Sequence, residues 1–158
     1  MAPAAPRPDT TKATMPSPTA PEISLVLPMR NEVDNMDALF ARLLPVLRGL
    51  GGSFEIVVVD DGSTDTTLDA LKARRREGIP QLNVISLSRN FGKEVAVTAA
   101  LAHTRGRYVV LMDSDLQHPP EAIPDLLTKI REGGWGIVSA QRIVRHKDTL
   151  ARRAFTRA

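Results

Sequence analysis

The chain has 158 residues, of which 42% are hydrophobic, 25% charged and 4% aromatic. That is enough for one ordinary domain, and it excludes a collagen, a disulfide scaffold and a wholly disordered acidic chain. There is no cysteine, so thiol catalysis and thiolate metal sites are excluded while the redox compartment stays open. The apolar runs at 56–59 and 109–112 are strand-length and far short of the ~18 residues of a membrane span. The first twenty residues lack the apolar core of a secretory signal. A single soluble-looking domain is expected.

The net charge of +3 conceals an asymmetry. From Arg142 onward, Arg142, Arg145, Lys147, Arg152, Arg153 and Arg157 face one acid, Asp148, so the body before them is slightly acidic. A nucleic-acid face would spread positive charge over the domain and interleave aromatic residues with it, and neither feature is present. The basic end fits an anionic lipid surface or a solvated helix end.

Residues 1–21 hold six of the twelve prolines among Ala, Thr and Ser, a composition that predicts a disordered tail. A buried strand is predicted over 23–27, stopped by Pro28. Asn31 is placed to cap a helix whose apolar positions Val33, Met36, Phe40, Leu43 and Leu47 recur every three or four residues. Pro45 weakens that helix near its end. The β-branched run 54–59 suits a parallel strand covered on both faces. It leads into Asp60-Asp61-Gly62-Ser63-Thr64-Asp65, where Ser63 or Thr64 is expected to cap a polar helix ending near Glu77. A third strand over 82–87, a helix over 93–104 and a fourth strand over 108–112 follow. Then come a helix over 121–131 and a short fifth strand over 136–140, with Trp135 expected to pack. This alternation predicts an α/β domain with a mainly parallel sheet flanked by helices.

In such sheets ligands bind outside the carboxyl ends of the strands. The polar clusters at 28–32, 60–65, 88–93 and 113–118 all fall at those ends and should line one crevice. Asp113 and Asp115 alternate just past a hydrophobic strand and suit Mg²⁺ or Mn²⁺, which take one or two carboxylates together with substrate phosphates. Alone, the same residues also read as a strand-ending turn. Asp60 and Asp61 read either as a turn or as acceptors for a base or ribose near a helix N-terminus. Neither a P-loop nor a G-x-G-x-x-G is present, which removes the kinase, ATPase and dehydrogenase readings.

The segments Leu27-Pro28-Met29-Arg30-Asn31-Glu32, Val59-Asp60-Asp61-Gly62-Ser63-Thr64-Asp65 and Ser88-Arg89-Asn90-Phe91-Gly92-Lys93 resemble successive motifs of family 2 glycosyltransferases. So do the run from Met112-Asp113-Ser114-Asp115 through Gln117 to Glu121, and Ala140-Gln141-Arg142. The similarity is to the dolichyl/polyprenyl-phosphate sugar transferase branch and covers about residues 22–158. It implies a nucleotide-diphospho-sugar transferase (GT-A-like) fold and a metal-assisted inverting transfer from a UDP- or GDP-sugar to a polyprenyl phosphate. By position, Pro28, Arg30 and Glu32 would meet the nucleotide, with Val58, Asp60 and Asp61 around base and ribose. Asp113 and Asp115 would hold Mg²⁺ or Mn²⁺ on the diphosphate, Ser114 would line the nucleotide, and Gln117 would assist. Lys93 and Arg142 would face the donor phosphates. Arg30 stands where many relatives carry a tyrosine.

The implied organisation is a tail at 1–21, a nucleotide-sugar-binding catalytic domain at 22–141 and a basic membrane-proximal segment at 142–158. That segment is expected to be cut short, since relatives continue into an acceptor-binding region. The implied location is the cytoplasmic face of a membrane, peripherally held. A phosphate acceptor is already an anion near neutral pH and needs no general base. Two other readings stand beside this one. The first is transfer to a sugar hydroxyl, which requires a base from a later segment. The second is a non-catalytic nucleotide-binding fragment.

Overall fold

The structure, a computed structural model, describes residues 20–140. The tail through residue 19, Gln141, Arg142 and the basic stretch after it lie outside the described residues. The described residues fall in two compact units, 20–121 and 122–140.

The first unit alternates strand and helix in chain order: β1 (Ile23–Met29), α1 (Val33–Gly49), β2 (Phe54–Asp60), α2 (Thr67–Glu77), β3 (Leu82–Ser86), α3 (Lys93–Leu101) and β4 (Tyr108–Leu111). The strands form one sheet in the order β3-β2-β1-β4, every pair parallel. Both faces are covered at the inner strands β1 and β2, whereas Val109 and Leu111 of the edge strand β4 are exposed. Val26, Val57 and Val59 are buried on one side beneath Ala96 and Ala100 of α3, whose small side chains let the helix lie close to the sheet. Leu25, Leu27, Ile56 and Val58, which alternate with them, are fully buried as well. α1 buries the stripe Met36, Leu39, Phe40, Leu43 and Leu47. It meets α2 through the ion pair of Asp37 with Arg74, whose guanidinium also lies 5.6 Å from the Phe40 ring centre.

Several boundaries differ from the sequence expectation, each for a physical reason. β1 runs through Pro28 to Met29, in register with Val59 and Asp60. The even-numbered residues of this stretch bond toward β4, as Glu22 O does with Tyr108 N and Val26 O with Met112 N. β4 has ended by the level of Pro28, so the missing N–H there costs no ladder bond. Pro45 is likewise carried inside α1, which continues to Gly49. α3 stops at Leu101, where Thr104 Oγ1 donates to Leu101 O at 2.8 Å and His103 N donates to Ala100 O at 2.9 Å.

The second unit, over its described residues, holds α4 (Ile123–Arg131), entered from a 3-10 turn at Pro120–Ala122. The strand expected at 136–140 is not formed, and Trp135 and Ile137 are exposed rather than packed. A strand is defined by the ladder it joins, and no strand among the described residues pairs with this stretch.

At the amino ends of the strands sits a buried polar clamp. The Glu55 carboxylate accepts from Ser24 Oγ at 2.6 Å, Arg105 N at 2.8 Å, Arg105 Nη2 at 2.7 Å and Asn83 Nδ2 at 3.1 Å. Burial pushes this carboxyl up, but the bonds from Ser24 and Arg105 outweigh it and hold it below its ordinary value. The clamp ties β1, β2, β3 and the α3–β4 loop together, leaving the opposite ends of the strands for the loops that carry chemistry.

Candidate functional site

Strand order reverses between β1 and β4, because β2 and β3 lie to one side of β1 and β4 to the other. Crevices in open parallel sheets form at such switch points. A cavity of about 320 Å³ opens here, lined by Pro28, Met29, Arg30 and Glu32 after β1 and by Asp61 after β2. Asn90, Gly92, Lys93 and Ala96 line it from the start of α3, and Asp113, Ser114 and Asp115 from the segment after β4. Four separate stretches of sequence therefore converge on one site.

The loops are fixed by bonds between one another. Asn31, in the left-handed region at φ 55°, does not cap its own helix. Its backbone N–H donates to Ser63 Oγ at 2.9 Å and its Oδ1 accepts from Thr64 N at 2.8 Å, stitching the β1 loop to the β2 loop. Glu32 N donates to Thr67 Oγ1 at 2.9 Å, a second stitch. Neither Ser63 nor Thr64 caps α2. Asp65 Oδ1 accepts from Thr67 N at 3.0 Å, and the hydrogen bonds from Thr67 hold the Asp65 carboxyl below its ordinary value against the smaller, opposing effect of burial.

Asp61 and Gly62 hold the loop before α3. Asp61 is 4% exposed, and its two oxygens accept from Phe91 N at 2.7 Å and Gly92 N at 2.9 Å. Gly62 has φ +62°, and a Cβ there would lie 2.6 Å from Asn90 N, against the Arg89 backbone. The close approach requires glycine. Asp60 is 1% exposed. Its Oδ2 takes only a long bond from Ser63 N, 3.4 Å, and its Oδ1 has no partner. A buried carboxylate oxygen left unpaired is costly and marks a place where a ligand donor would be welcome.

On the β4 side, Ser114 is buried and donates to Pro28 O at 3.3 Å. Asp115 is exposed, and its Oδ1 accepts from Gln117 N at 3.0 Å across Leu116, which adopts φ 60°. Asp113 Oδ1 lies 2.6 Å from Lys93 Nζ. Among the described residues, no group of three or more acidic, His or Cys side chains gathers to hold a metal. The two carboxylates at the cavity fit instead the pattern in which Mg²⁺ or Mn²⁺ is completed by substrate phosphate and water.

Of the residues singled out from the sequence, Pro28, Arg30, Glu32, Asp61, Lys93, Asp113, Ser114 and Asp115 line the cavity. Val58 and Asp60 are buried within β2 and do not line it. Gln117 is exposed and also lies off the lining, and Arg142 is outside the described residues. Met29, Asn90, Gly92 and Ala96 line the cavity without having been singled out; the first three lie inside motifs read for their neighbours, and Ala96 lies one turn further into α3.

Against known proteins, the Glycosyl transferase family 2 domain matches residues 24–157. The chain belongs to that family. An uncharacterized glycosyltransferase of Synechocystis is 46% identical over 132 residues, covering 81% of this chain and 40% of its own length. An undecaprenyl-phosphate 4-deoxy-4-formamido-L-arabinose transferase of Shewanella sediminis is 35% identical over 133 residues, covering 84% of this chain and 39% of its own length. The chain thus spans about two-fifths of the length of these relatives. Among solved structures, a mannosyltransferase of Pyrobaculum calidifontis in complex with GDP-Man and Mn²⁺ superimposes with a TM-score of 0.56 at 28% identity. It covers 72% of this chain and 33% of that one. The parallel sheet flanked by helices is the expected GT-A-like fold.

Proposed function

We propose that this chain carries the donor-binding half of an inverting glycosyltransferase that moves a sugar from a nucleotide-diphosphate sugar to a polyprenyl phosphate. The observation that carries the reading is the convergence of Asp113 and Asp115 with Lys93, Arg30 and Glu32 on one cavity at the switch point of the sheet. The relatives named for transfer to undecaprenyl phosphate support the acceptor. The fold neighbour solved with GDP-Man and Mn²⁺ supports the donor class and the metal.

Each group has a task in this reading. The unpaired Asp60 Oδ1 accepts from the nucleoside, behind loops that Asn31 and Asp61 hold in place. Pro28, Arg30, Glu32 and Ser114 line the nucleotide, and Asp113 and Asp115 would hold Mg²⁺ or Mn²⁺. Bound there, the cation supplies charge neutralisation for the departing diphosphate. Lys93 adds a positive charge at the same phosphates, with Arg142 in the same role. An acceptor phosphate oxygen attacks the anomeric carbon as the bond to the diphosphate breaks. The diphosphate leaves with the bonding pair, and the configuration inverts. The acceptor arrives as an anion, so no side chain has to remove a proton. Among the described residues no helix is long and apolar enough to cross a membrane. The basic residues from Arg142 would hold the protein at the cytoplasmic lipid surface.

Calorimetric titration with UDP- and GDP-sugars, with and without Mn²⁺, tests the site. One donor should bind only with the metal, and Asp115→Asn should abolish that metal-dependent binding while leaving the circular dichroism spectrum unchanged. Normal metal-dependent binding by a folded Asp115→Asn chain would mean that the carboxylate is not a ligand.

A further inference from the structure

The ion pair inside the cavity has a geometry that neither a structural salt bridge nor a simple phosphate ligand explains. Lys93 Nζ is 2.6 Å from Asp113 Oδ1, so the counter-ion of this carboxylate is an ammonium. Lys93 is the first residue of α3, and the backbone just before it is pinned by the Asp61 bonds to Phe91 N and Gly92 N. Its root is fixed while its side chain remains 61% exposed, on a flexible four-carbon stem. An exposed pair of this kind adds little to folding, so stability does not account for it.

We infer that Lys93 is an exchangeable counter-ion. Its ammonium neutralises Asp113 when the cavity is empty, yields the carboxylate to an entering divalent cation, and turns to the donor diphosphate that arrives with it. This rests on the reading of Asp113 and Asp115 as the metal-holding pair. The physical basis is simple competition. An ammonium and a divalent cation on one carboxylate oxygen bring like charges within a few ångströms, so each raises the cost of the other. A diphosphate relieves the conflict by giving the ammonium a new anionic partner. Lys93 therefore opposes binding of the metal alone and favours binding of metal and nucleotide together.

The two halves predict shifts of opposite sign for Lys93→Met, which keeps the stem and removes the charge. Mn²⁺ alone should be titrated into the native chain and the variant, with free Mn²⁺ read from its electron paramagnetic resonance signal. UDP and GDP are then titrated at saturating Mn²⁺. The variant should bind Mn²⁺ alone about twofold to fivefold more tightly, the range set by releasing an exposed ion pair. It should bind the nucleoside diphosphate about tenfold more weakly, as expected for losing one charge-assisted bond. Mn²⁺ binding by the variant and not by the native chain would also support the exchange. Equal or weaker Mn²⁺ binding by the variant overturns it, as does unchanged nucleotide affinity. Lys93→Gln gives a second neutral variant should the first fail to fold. Asp115→Asn, made in the Lys93→Met chain, separates the two levels: if it leaves that chain's Mn²⁺ binding unchanged, or if no chain binds Mn²⁺ with or without UDP or GDP, the metal-site reading fails and the exchange with it.

Discussion

At the scale of single residues, the chemistry of this site depends on side chains that never need to touch a ligand. Asp61 looks in sequence like a donor-binding acid, yet both of its oxygens are spent on the backbone N–H groups of Phe91 and Gly92. Gly62 beside it makes room for the same loop. Gly62→Ala should therefore act twice. It forces a Cβ into the left-handed region, at about 1–2 kcal/mol, and it drives that carbon into the Arg89–Asn90 backbone. A loss of about 2–4 kcal/mol in urea unfolding, with weakened nucleotide binding in whatever remains folded, is the expected outcome. Stability within 0.5 kcal/mol of the native chain would show that the loop yields freely and that the close approach is unimportant.

Elements set which of these residues meet. α3 delivers Lys93 to the cavity because its alanine face, Ala96 and Ala100, seats it directly on Val26, Val57 and Val59. β1 delivers Pro28 and Met29 because its neighbour β4 ends early enough to tolerate a proline. α1 holds a proline with less justification. Pro45 is exposed, lies inside the helix and removes one backbone hydrogen bond with the turn before it. Pro45→Ala should restore that bond and raise stability by about 1–2 kcal/mol, the helix gain exceeding the added freedom of the unfolded chain. Thermal unfolding measures it directly, and a lowered melting temperature would mean that the proline ring packs in a way its exposure does not indicate.

For the whole molecule, the two ends of the sheet do different work. The amino ends are locked by Glu55, Ser24, Asn83 and Arg105, and Gly106 fits there because a Cβ would stand 2.7 Å from Ser24 Oγ. The carboxyl ends are left to loops that bind. The lock is pH-dependent. The Glu55 carboxyl is held below its ordinary 4.5 in the fold. Its contribution is therefore complete above that value and is lost as pH falls through the lower, folded value. Glu55→Gln should cost about 1.5–3 kcal/mol at pH 7, the worth of its charge-assisted bonds. The gap between native and variant should close on acidification below pH 4.5. A gap that stays constant from pH 7 to pH 3 would mean that the charge is irrelevant and only shape matters.

The sequence by itself determined the α/β alternation, the strands Ile23–Met29 and Phe54–Asp60 to within two residues, and the stretches that line the cavity. These are local properties. β-branched runs, helical spacing and clusters of Asp, Gly and Ser at strand ends follow from the preferences of neighbouring residues. What only the tertiary structure decided was partnership. Asn31 bonds to Ser63 and Thr64 rather than capping its own helix, Asp61 holds a loop thirty residues away, and Lys93 meets Asp113. Residues 136–140, with the composition of a strand, are not one. Each of these outcomes depends on which group lies across a gap of about 20 residues or more, or on whether a neighbouring strand is there to pair. A hydrogen-bonding side chain or a strand edge takes its role from that partner, and the chain order alone does not name it.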